Sequence, residues 1–508
     1  METTFGTDAH TIKNNTLKPV TWNSKQVVNP HMLILGVSGT GKTYNLKKIA
    51  RDLTLSNSNK TFRMHVFDVH GDINVGEDIT STVVFSESTQ WGLNPLKVNA
   101  DPHFGGVRKK VQGFVTTVNK VMRSLGTKQE ATLRNLLIDL YSRHGFDMNN
   151  AATWKVDDNA TVLTGSDENR LYLDVPYAEK DMASSLGATW DRELRAWYIS
   201  KTAYSGAITK WGIKHTGRTH PTIADLLRFA RLVLEQTYLG TGSEAVANLE
   251  VVNRHAGRLF KKSLEAMKSS GKDPDSKADA DLEKAKEKAL ESYSKYIDSI
   301  ATGRELETVM KYDSVDVLKS VVDRIDNLDA IGIFKPHTPP FDEAKNVWRY
   351  DIKALLMNEK KLFVIFKLEE LFLQAIQRGE QDDIIDVILL DEAHIFRDDS
   401  DDSIVDTIVK EARKFGLALI CASQSPGHFS SDFLSQTGTK VVLGLDETQY
   451  KAAESKLMIP PDALKWIKPQ KSLLVNCKRK ANIENGSAQA WKWTVINYTP
   501  QSRQTNSQ

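Results

Sequence analysis

An α/β fold built on a mostly parallel sheet is what this sequence of 508 residues predicts, and three observations carry that expectation. Short apolar runs alternate with helix-compatible stretches over residues 31–150, and the pattern returns from Trp348 onward. The run Met32-Leu33-Ile34-Leu35 passes directly into Gly36-Val37-Ser38-Gly39-Thr40-Gly41-Lys42-Thr43, and Tyr44-Asn45-Leu46-Lys47-Lys48-Ile49-Ala50 continues in helix-forming residues. Far downstream, Val387-Ile388-Leu389-Leu390 ends on Asp391-Glu392.

The glycine segment is a complete GxxxxGKT loop in the strand–loop–helix setting that such a loop requires. Its glycines let backbone N–H groups turn inward around an anion, and the helix N-terminus adds partial positive charge. Gly36, Ser38, Gly39, Thr40, Gly41, Lys42, Thr43 and Tyr44 are therefore the expected cradle for a nucleoside triphosphate, taken as ATP. Lys42 would reach the β- and γ-phosphates, and the Thr43 hydroxyl would ligate Mg²⁺. The competing reading is a glycine-rich turn that happens to contain Gly-Lys-Thr.

The acid-tipped strand supplies what the loop lacks. A carboxylate at a strand tip opposite a phosphate loop can hold the Mg²⁺ shell, the task expected of Asp391. Glu392 can then polarise the attacking water as general base. Strand-Asp-Glu also suits the acidic first turn of a helix. One strand further on, Cys421-Ala422-Ser423-Gln424-Ser425-Pro426 offers Gln424 to sense the γ-phosphate, or as a turn residue before Pro426. Arg413, in Glu411-Ala412-Arg413-Lys414-Phe415-Gly416, can be an arginine finger for a neighbouring subunit's site or a cation at a helix C-terminus.

Composition narrows the class. Cys421 and Cys477 are too few for a disulfide framework, which suits a reducing cytoplasm. The first residues show no secretion signal, and no apolar run has bilayer-spanning length. A net charge of +2 leaves nucleic-acid contact to local basic patches.

The boundaries expected are an arm or lead-in strand at 1–30, a first part of an ATPase core at 31–150, and a small Trp-rich α+β insert at 151–220. A helical insertion follows at 221–335, then the second part of the core with C-terminal strands at 336–499, and a disordered tail at 500–508. The core strands expected are Thr61–Asp68, Leu362–Phe366, Val387–Leu390, Leu417–Ala422 and Lys440–Leu445, with amphipathic helices near 106–123 and 127–143. Helices are also expected on either side of a break at Ser269–Ser276, and their mixed charges read as a solvated face. The insert holds Trp154, Trp190, Trp197 and Trp211, four of the ten tryptophans. Beside Lys180, Arg192 and Arg195 they can stack on single-stranded bases, or they can form the core of a tiny domain.

Taken together, the residues resemble the HerA/FtsK superfamily of ring-forming P-loop ATPases. Five ordered pieces carry the resemblance: the phosphate loop, Phe67-Asp68-Val69-His70-Gly71-Asp72, Leu389-Leu390-Asp391-Glu392-Ala393-His394, Glu411–Gly416 with Ser423-Gln424-Ser425-Pro426, and Leu434-Ser435-Gln436-Thr437-Gly438-Thr439-Lys440. Conjugative type IV secretion ATPases carry looser versions. The resemblance implies a RecA-like P-loop NTPase core of the ASCE type, Mg²⁺-dependent ATP hydrolysis, a hexameric ring and duplex DNA or another polymer in its pore. It also implies catalytic roles for Lys42, Thr43, Asp391, Glu392 and Gln424, with Arg413 as the finger. HerA proteins usually carry a small β-barrel ahead of the core, and residues 1–30 leave no room for one. The Asp-Glu-Ala-His tetrapeptide also occurs in DEAH helicases, but their other motifs are not evident.

The function expected is therefore a DNA translocase or helicase-like motor. Its setting would be a mobile element or antiviral defence system with a separate nuclease or other effector. Alternatives are a secretion ATPase that energises a membrane channel, a viral packaging ATPase, and a scaffold ring that translocates nothing. The insert also resembles a small module found attached to primases.

Overall fold

The apolar runs form strands where aliphatic and β-branched residues cluster, and most strands end at or beside a glycine or a polar residue. The computed structural model describes residues 1–13, 17–57, 61–157, 160–239, 243–269, 277–299, 311–397, 403–480 and 492–497. In chain order the strands are β1 (Glu2–Asp8), β2 (Pro19–Asn23), β3 (Met32–Gly36), β4 (Arg63–Asp68), β5 (Thr80–Val84), β6 (Arg170–Leu173) and β7 (Thr189–Asp191). They continue with β8 (Ala196–Ser200), β9 (Val347–Asp351), β10 (Asp386–Leu390), β11 (Leu417–Ser423), β12 (Thr439–Gly444), β13 (Ser472–Cys477) and β14 (Trp493–Asn497).

Among the described residues, eleven strands form one sheet in the order β2-β1-β14-β13-β12-β3-β11-β10-β4-β9-β5. From β12 through to β5 every neighbour is parallel. The strands from β13 to β2 extend one side antiparallel. The expected α/β class with a mostly parallel sheet is thus borne out. Residues 2–8 and 19–23, within the expected arm, are strands of this sheet.

Helix Lys42–Leu55 shows why the sheet is covered. Leu46, Ile49, Ala50 and Leu53 recur at helical spacing, are buried, and join Ile34, Val66, Leu389 and Ile420 in one core. Each large side chain so buried contributes roughly 1.5–3 kcal/mol.

One expected strand is corrected. Leu362-Phe363-Val364-Ile365-Phe366 lies inside the helix Met357–Arg378. That helix is buried over much of its length, so its apolar run carries no polar face to reveal the period. The strand belonging there is β9, whose Val347-Trp348-Arg349-Tyr350-Asp351 mixes charges with aromatics.

The chain divides into two compact units, residues 1–93, 120–122 and 335–508 in one, 94–119 and 123–334 in the other. The large sheet belongs to the first. In the second, helices Thr127–Arg143, Ile223–Leu239 and Val315–Ala330 pack together. There too, β6-β8-β7 forms a small sheet over a core of Leu173, Ala183, Ala188, Ile199, Ile208 and Trp211. Trp211 is fully buried and donates to Glu179 at 2.7 Å, whereas Trp190 is 46 % exposed and meets Trp197 edge to face. Helices Ser243–Ser269 and Lys277–Ser299 pair as a hairpin. The expected break between them, beyond Ser269, and the expected tail at 500–508 lie outside the described residues.

Asp68, at the tip of β4, is fully buried and organises the turn that follows. Its Oδ1 accepts the N–H groups of Gly71 and Asp72 at 2.8 and 3.2 Å, and its Oδ2 accepts that of Ile73 at 2.8 Å. Arg349 on β9 donates from Nε at 2.8 Å and from a terminal nitrogen at 2.7 Å to the same Oδ2. Removing the carboxylate leaves a largely buried guanidinium with only Asp351, at 3.9 Å, as counter-charge. Asp68→Asn is expected to cost about 3–5 kcal/mol in urea unfolding, and Asp68→Asn/Arg349→Met to recover some of it. Equal loss in the single and double variants would show that the ion pair is not the cause.

Candidate nucleotide-binding site

Parallel registry places the key residues together. Leu35 on β3 pairs with Ser423 on β11, and Leu390 on β10 pairs with Cys421 on β11 and with Phe67 on β4. The segments that follow, Gly36–Thr43, Gln424, Asp391-Glu392 and Asp68–Asp72, therefore leave the same edge of the sheet. Ligands of open α/β sheets bind at this carboxyl edge.

The loop is shaped by its own bonds. Gly39 and Gly41 have φ of 81° and 93°, where a side chain would strain the backbone. A Cβ on Gly36 would lie 2.5 Å from Thr40 Oγ1, so that position accepts no side chain without a shift. Val37 N–H donates to Gly444 at 3.0 Å, and the Thr40 hydroxyl donates to the Val37 carbonyl at 2.7 Å. Gln470 Nε2 donates to the Gly39 carbonyl at 2.9 Å from the far side of the loop. No side chain caps the N-terminus of helix Lys42–Leu55. A helix N-terminus without a side-chain cap at the end of a glycine loop suits a phosphate.

Glu392 is the hub. Its Oε1 accepts from Lys42 Nζ at 2.6 Å and from Gln424 Nε2 at 3.2 Å, joining three strand tips through one oxygen. Its Oε2 is buried without a hydrogen bond, although His394 Nδ1 lies 3.3 Å away as an ion-pair neighbour. Its backbone sits at φ 47°, ψ 46°, a left-handed conformation that a glutamate adopts at a cost of order 1–3 kcal/mol. Burial works to raise the Glu392 pKa, and the bonds from Lys42 and Gln424 outweigh it and hold the group below its ordinary range. Asp391 goes the other way, pushed up to about 6 by burial and then by the Glu392 charge. Its Oδ1 accepts the Glu392 amide at 2.9 Å. Two adjacent carboxyls whose pKa values are driven apart are an arrangement that acid–base chemistry uses.

Two histidines complete the wall. His394 and His428 stack with ring centroids 4.4 Å apart, and Ser423 Oγ lies 2.9 Å from His428 Nδ1 and 3.4 Å from His394 Nδ1. Burial lowers both pKa values, and for His394 the neighbouring His428 adds to the effect.

The structure thus gathers Gly36, Gly39, Thr40, Gly41, Lys42, Asp391, Glu392 and Gln424 at one edge. Ser38 and Tyr44 are exposed on the loop and at the start of the helix. The Thr43 hydroxyl lies 3.3 Å from Asp72 Oδ2. Asp72 and His394 stand within sequence motifs that give them no role of their own, and His428 and Gln470 lie outside the site residues expected from the sequence. The strand-tip tetrapeptide was a signal for His394; nothing local marks Gln470. Arg413 is not at this edge. It lies in the exposed turn Ala412–Phe415 before β11, and its charge acts on buried His31, at the opposite end of β3.

With this geometry, the matches to known proteins are specific. Residues 10–101 match the family model described as "Helicase HerA, central domain". The chain carries a P-loop NTPase core of the HerA/FtsK type. The structure of VirB4 of Thermoanaerobacter pseudethanolicus is similar over 98 % of this chain and 96 % of that one, with a TM-score of 0.53 and 13 % identity, a likeness of fold. Plasmid coupling protein TrwB in complex with an ATP analogue aligns over 99 % of this chain and 96 % of its own, at a TM-score of 0.47 and 12 % identity. Residues 170–212 match a second family model, described as a domain of unknown function, DUF5710. A stretch of 42 residues is 48 % identical to DNA primase TraC of Escherichia coli, covering 8 % of this chain and 3 % of that protein. This HerA/FtsK-type chain therefore spans only a small fraction of that curated relative.

The residues fit a Mg-nucleotide. The loop is a cradle without side chains at its turns, Lys42 stands at its end, and Glu392 keeps one buried oxygen without a hydrogen bond. The raised pKa of Asp391 has a consequence for stability. A carboxyl held above its unfolded value of 3.8 favours folding while protonated, and that contribution is lost as pH rises through about 6. Without nucleotide and with chelator present, Asp391→Asn is expected to stabilise the HerA/FtsK-type core by on the order of 3 kcal/mol at pH 7.5 and by little at pH 4. Thermal unfolding across that range checks it; an equal effect at both pH values would contradict the assignment.

Proposed function

We propose that the chain is a ring-forming, Mg²⁺-dependent ATPase of HerA/FtsK type that translocates or remodels duplex DNA. The observation that carries the hydrolytic half of this reading is the single Glu392 oxygen shared by Lys42 and Gln424. Lys42 exchanges Glu392 for the β- and γ-phosphate oxygens, which frees the carboxylate beside the γ-phosphate. Glu392 takes a proton from the attacking water as its oxygen bonds to the γ-phosphorus and the bond to the leaving ADP breaks. Gln424, already against Glu392, orients that water. Thr43 and Asp391, with Asp72 behind Thr43, would hold Mg²⁺, whose bound charge offsets that of the phosphates.

The family match over residues 10–101 supports a DNA motor, and the primase-like segment supports work on nucleic acid in a mobile-element setting. Destruction of foreign DNA, in an antiviral role, would fall to a separate nuclease or other effector. A second reading, a conjugation or secretion ATPase, draws support from the likeness to VirB4 along nearly the whole chain. Among the described residues no helix is long and apolar enough to cross a membrane. We assign the chain to the cytoplasm, where cysteines such as buried Cys421 stay reduced.

ATP turnover with and without duplex and single-stranded DNA tests the motor. Duplex DNA is expected to raise wild-type turnover. Glu392→Gln is expected to lower kcat by about 10²–10⁴ with nucleotide binding kept, and Lys42→Ala to lose binding. Indifference to both kinds of DNA would remove the motor reading, and full turnover by both variants would remove the site.

The position of Arg413 sets a further test. In a ring it would serve a neighbour's site. Arg413→Ala and Glu392→Gln are each expected to be inactive alone and to regain turnover when mixed, since mixed rings contain sites with both groups intact. No recovery on mixing would assign Arg413 to structure.

A further inference from the structure

The helical hairpin carries six large apolar side chains exposed on its outside. Helices Ser243–Ser269 and Lys277–Ser299 run antiparallel, as the Lys262–Asp281 ion pair at 3.4 Å and the hydrogen bond from Asn248 to the Lys295 carbonyl at 3.5 Å require. On the less exposed face of the second helix Leu282, Ala285, Ala289 and Tyr296 are half-buried and Ser292 is buried. Phe260, Leu264 and Met267 on the first helix are 66 %, 43 % and 72 % exposed. Leu290, Tyr293 and Ile297 on the second are 69 %, 52 % and 50 % exposed. An isolated hairpin would place these groups inside, because exposed apolar stripes are costly in water.

Their spacing is not random. Steps of four and three residues along the first helix, and of three and four along the second, are the spacing of coiled-coil seams. Each stripe has a charged margin one residue further round the helix. Arg254 and Lys261 border the first stripe and Glu287 and Asp298 border the second, all exposed, while Glu291 on the second margin is taken up by Lys295 at 2.7 Å. The acid on the basic margin, Glu265, is taken up by Lys262 at 2.8 Å. So one hairpin offers an apolar seam with a basic edge and another with an acidic edge.

We propose that the hairpin is a subunit-joining element, in which the basic-edged seam of one copy packs on the acidic-edged seam of the next. Pairing of unlike seams can close reciprocally within a pair or repeat from copy to copy, and the ring reading above selects the repeating, head-to-tail form. The opposite margins set register and exclude like-seam pairing. This rests on the ring reading above and adds its contact surface.

Mass photometry and sedimentation of the full chain with ATP test it. Arg254→Glu/Lys261→Glu and Glu287→Lys/Asp298→Lys are each expected to weaken assembly at least about tenfold, with helicity by circular dichroism unchanged because all four sites are exposed. The chain carrying all four reversals is expected to recover assembly to within about threefold, since complementarity is restored with sign exchanged. Phe260→Glu/Leu264→Glu is expected to abolish assembly even in that chain. Assembly indifferent to the paired reversals, or no recovery in the fourfold variant, overturns the proposal and leaves the ring ATPase standing. A wild-type chain that stays monomeric with ATP overturns the ring reading itself.

Discussion

One carboxylate oxygen holds the candidate site together. Glu392 Oε1 accepts from Lys42 after β3 and from Gln424 after β11, while its own backbone leaves β10. Three strand tips meet there because the strands share direction and register, and a slip of one residue in any of them would turn the group to the other face. The register is in turn fixed by strands buried on both faces, since β3, β10 and β11 are almost continuously buried. Chemistry at this edge is thus a consequence of hydrophobic pairing far below it.

The site is also strained, and the strain has a local origin. Asp391 and Glu392 are adjacent, both largely buried, and their charges oppose each other. The left-handed turn at Glu392 swings its side chain away from Asp391 and toward Lys42 and Gln424, and the Glu392 amide bonds back to Asp391. Burial works to raise the pKa of both carboxyls. The hydrogen bonds from Lys42 and Gln424 outweigh burial for Glu392, whereas for Asp391 the Lys42 charge does not, which leaves the two adjacent carboxyls with pKa values driven apart. Asp68 has the corresponding role on neighbouring β4, with donors from four residues on a fully buried carboxylate and Asp72 carried on the turn it organises.

What could be read from the sequence follows how local each cause is. The glycine loop is a run of eight residues whose backbone needs are written in its own side chains, and β3, β10 and β11 are uniform apolar runs of strand length. The helix over Met357–Arg378 is apolar for a tertiary reason, burial around much of its circumference, so Leu362–Phe366 looks like a strand from within a short window. β9 presents the reverse case, because Arg349 is a charge in a central strand made tolerable only by Asp68, nearly three hundred residues earlier in the chain. Gln470 reaches Gly39 from a loop with no motif of its own, and the Thr43–Asp72 contact exists only once β4 is placed two strands from β11. Trp190 and Trp211 were indistinguishable by residue type, and only the small sheet decides which of them is buried.

The placement of Arg413 constrains how any such core can work. β11 begins just after it and ends just before Gln424, a seven-residue strand that spans roughly 20 Å at about 3.3 Å per residue. An arginine side chain is far shorter than that, and the parallel β3 beside it has the phosphate loop at the far end as well. Within one chain the guanidinium and the phosphates therefore stand at opposite edges of the same sheet. Charge from Arg413 can reach a transferring phosphoryl group only from a second copy whose lower edge abuts this upper edge. A site built in that way is complete only when subunits are in contact, so turnover would depend on association, and each hydrolysis would be sensed by a neighbour through the rigid strand that links Arg413 to Gln424.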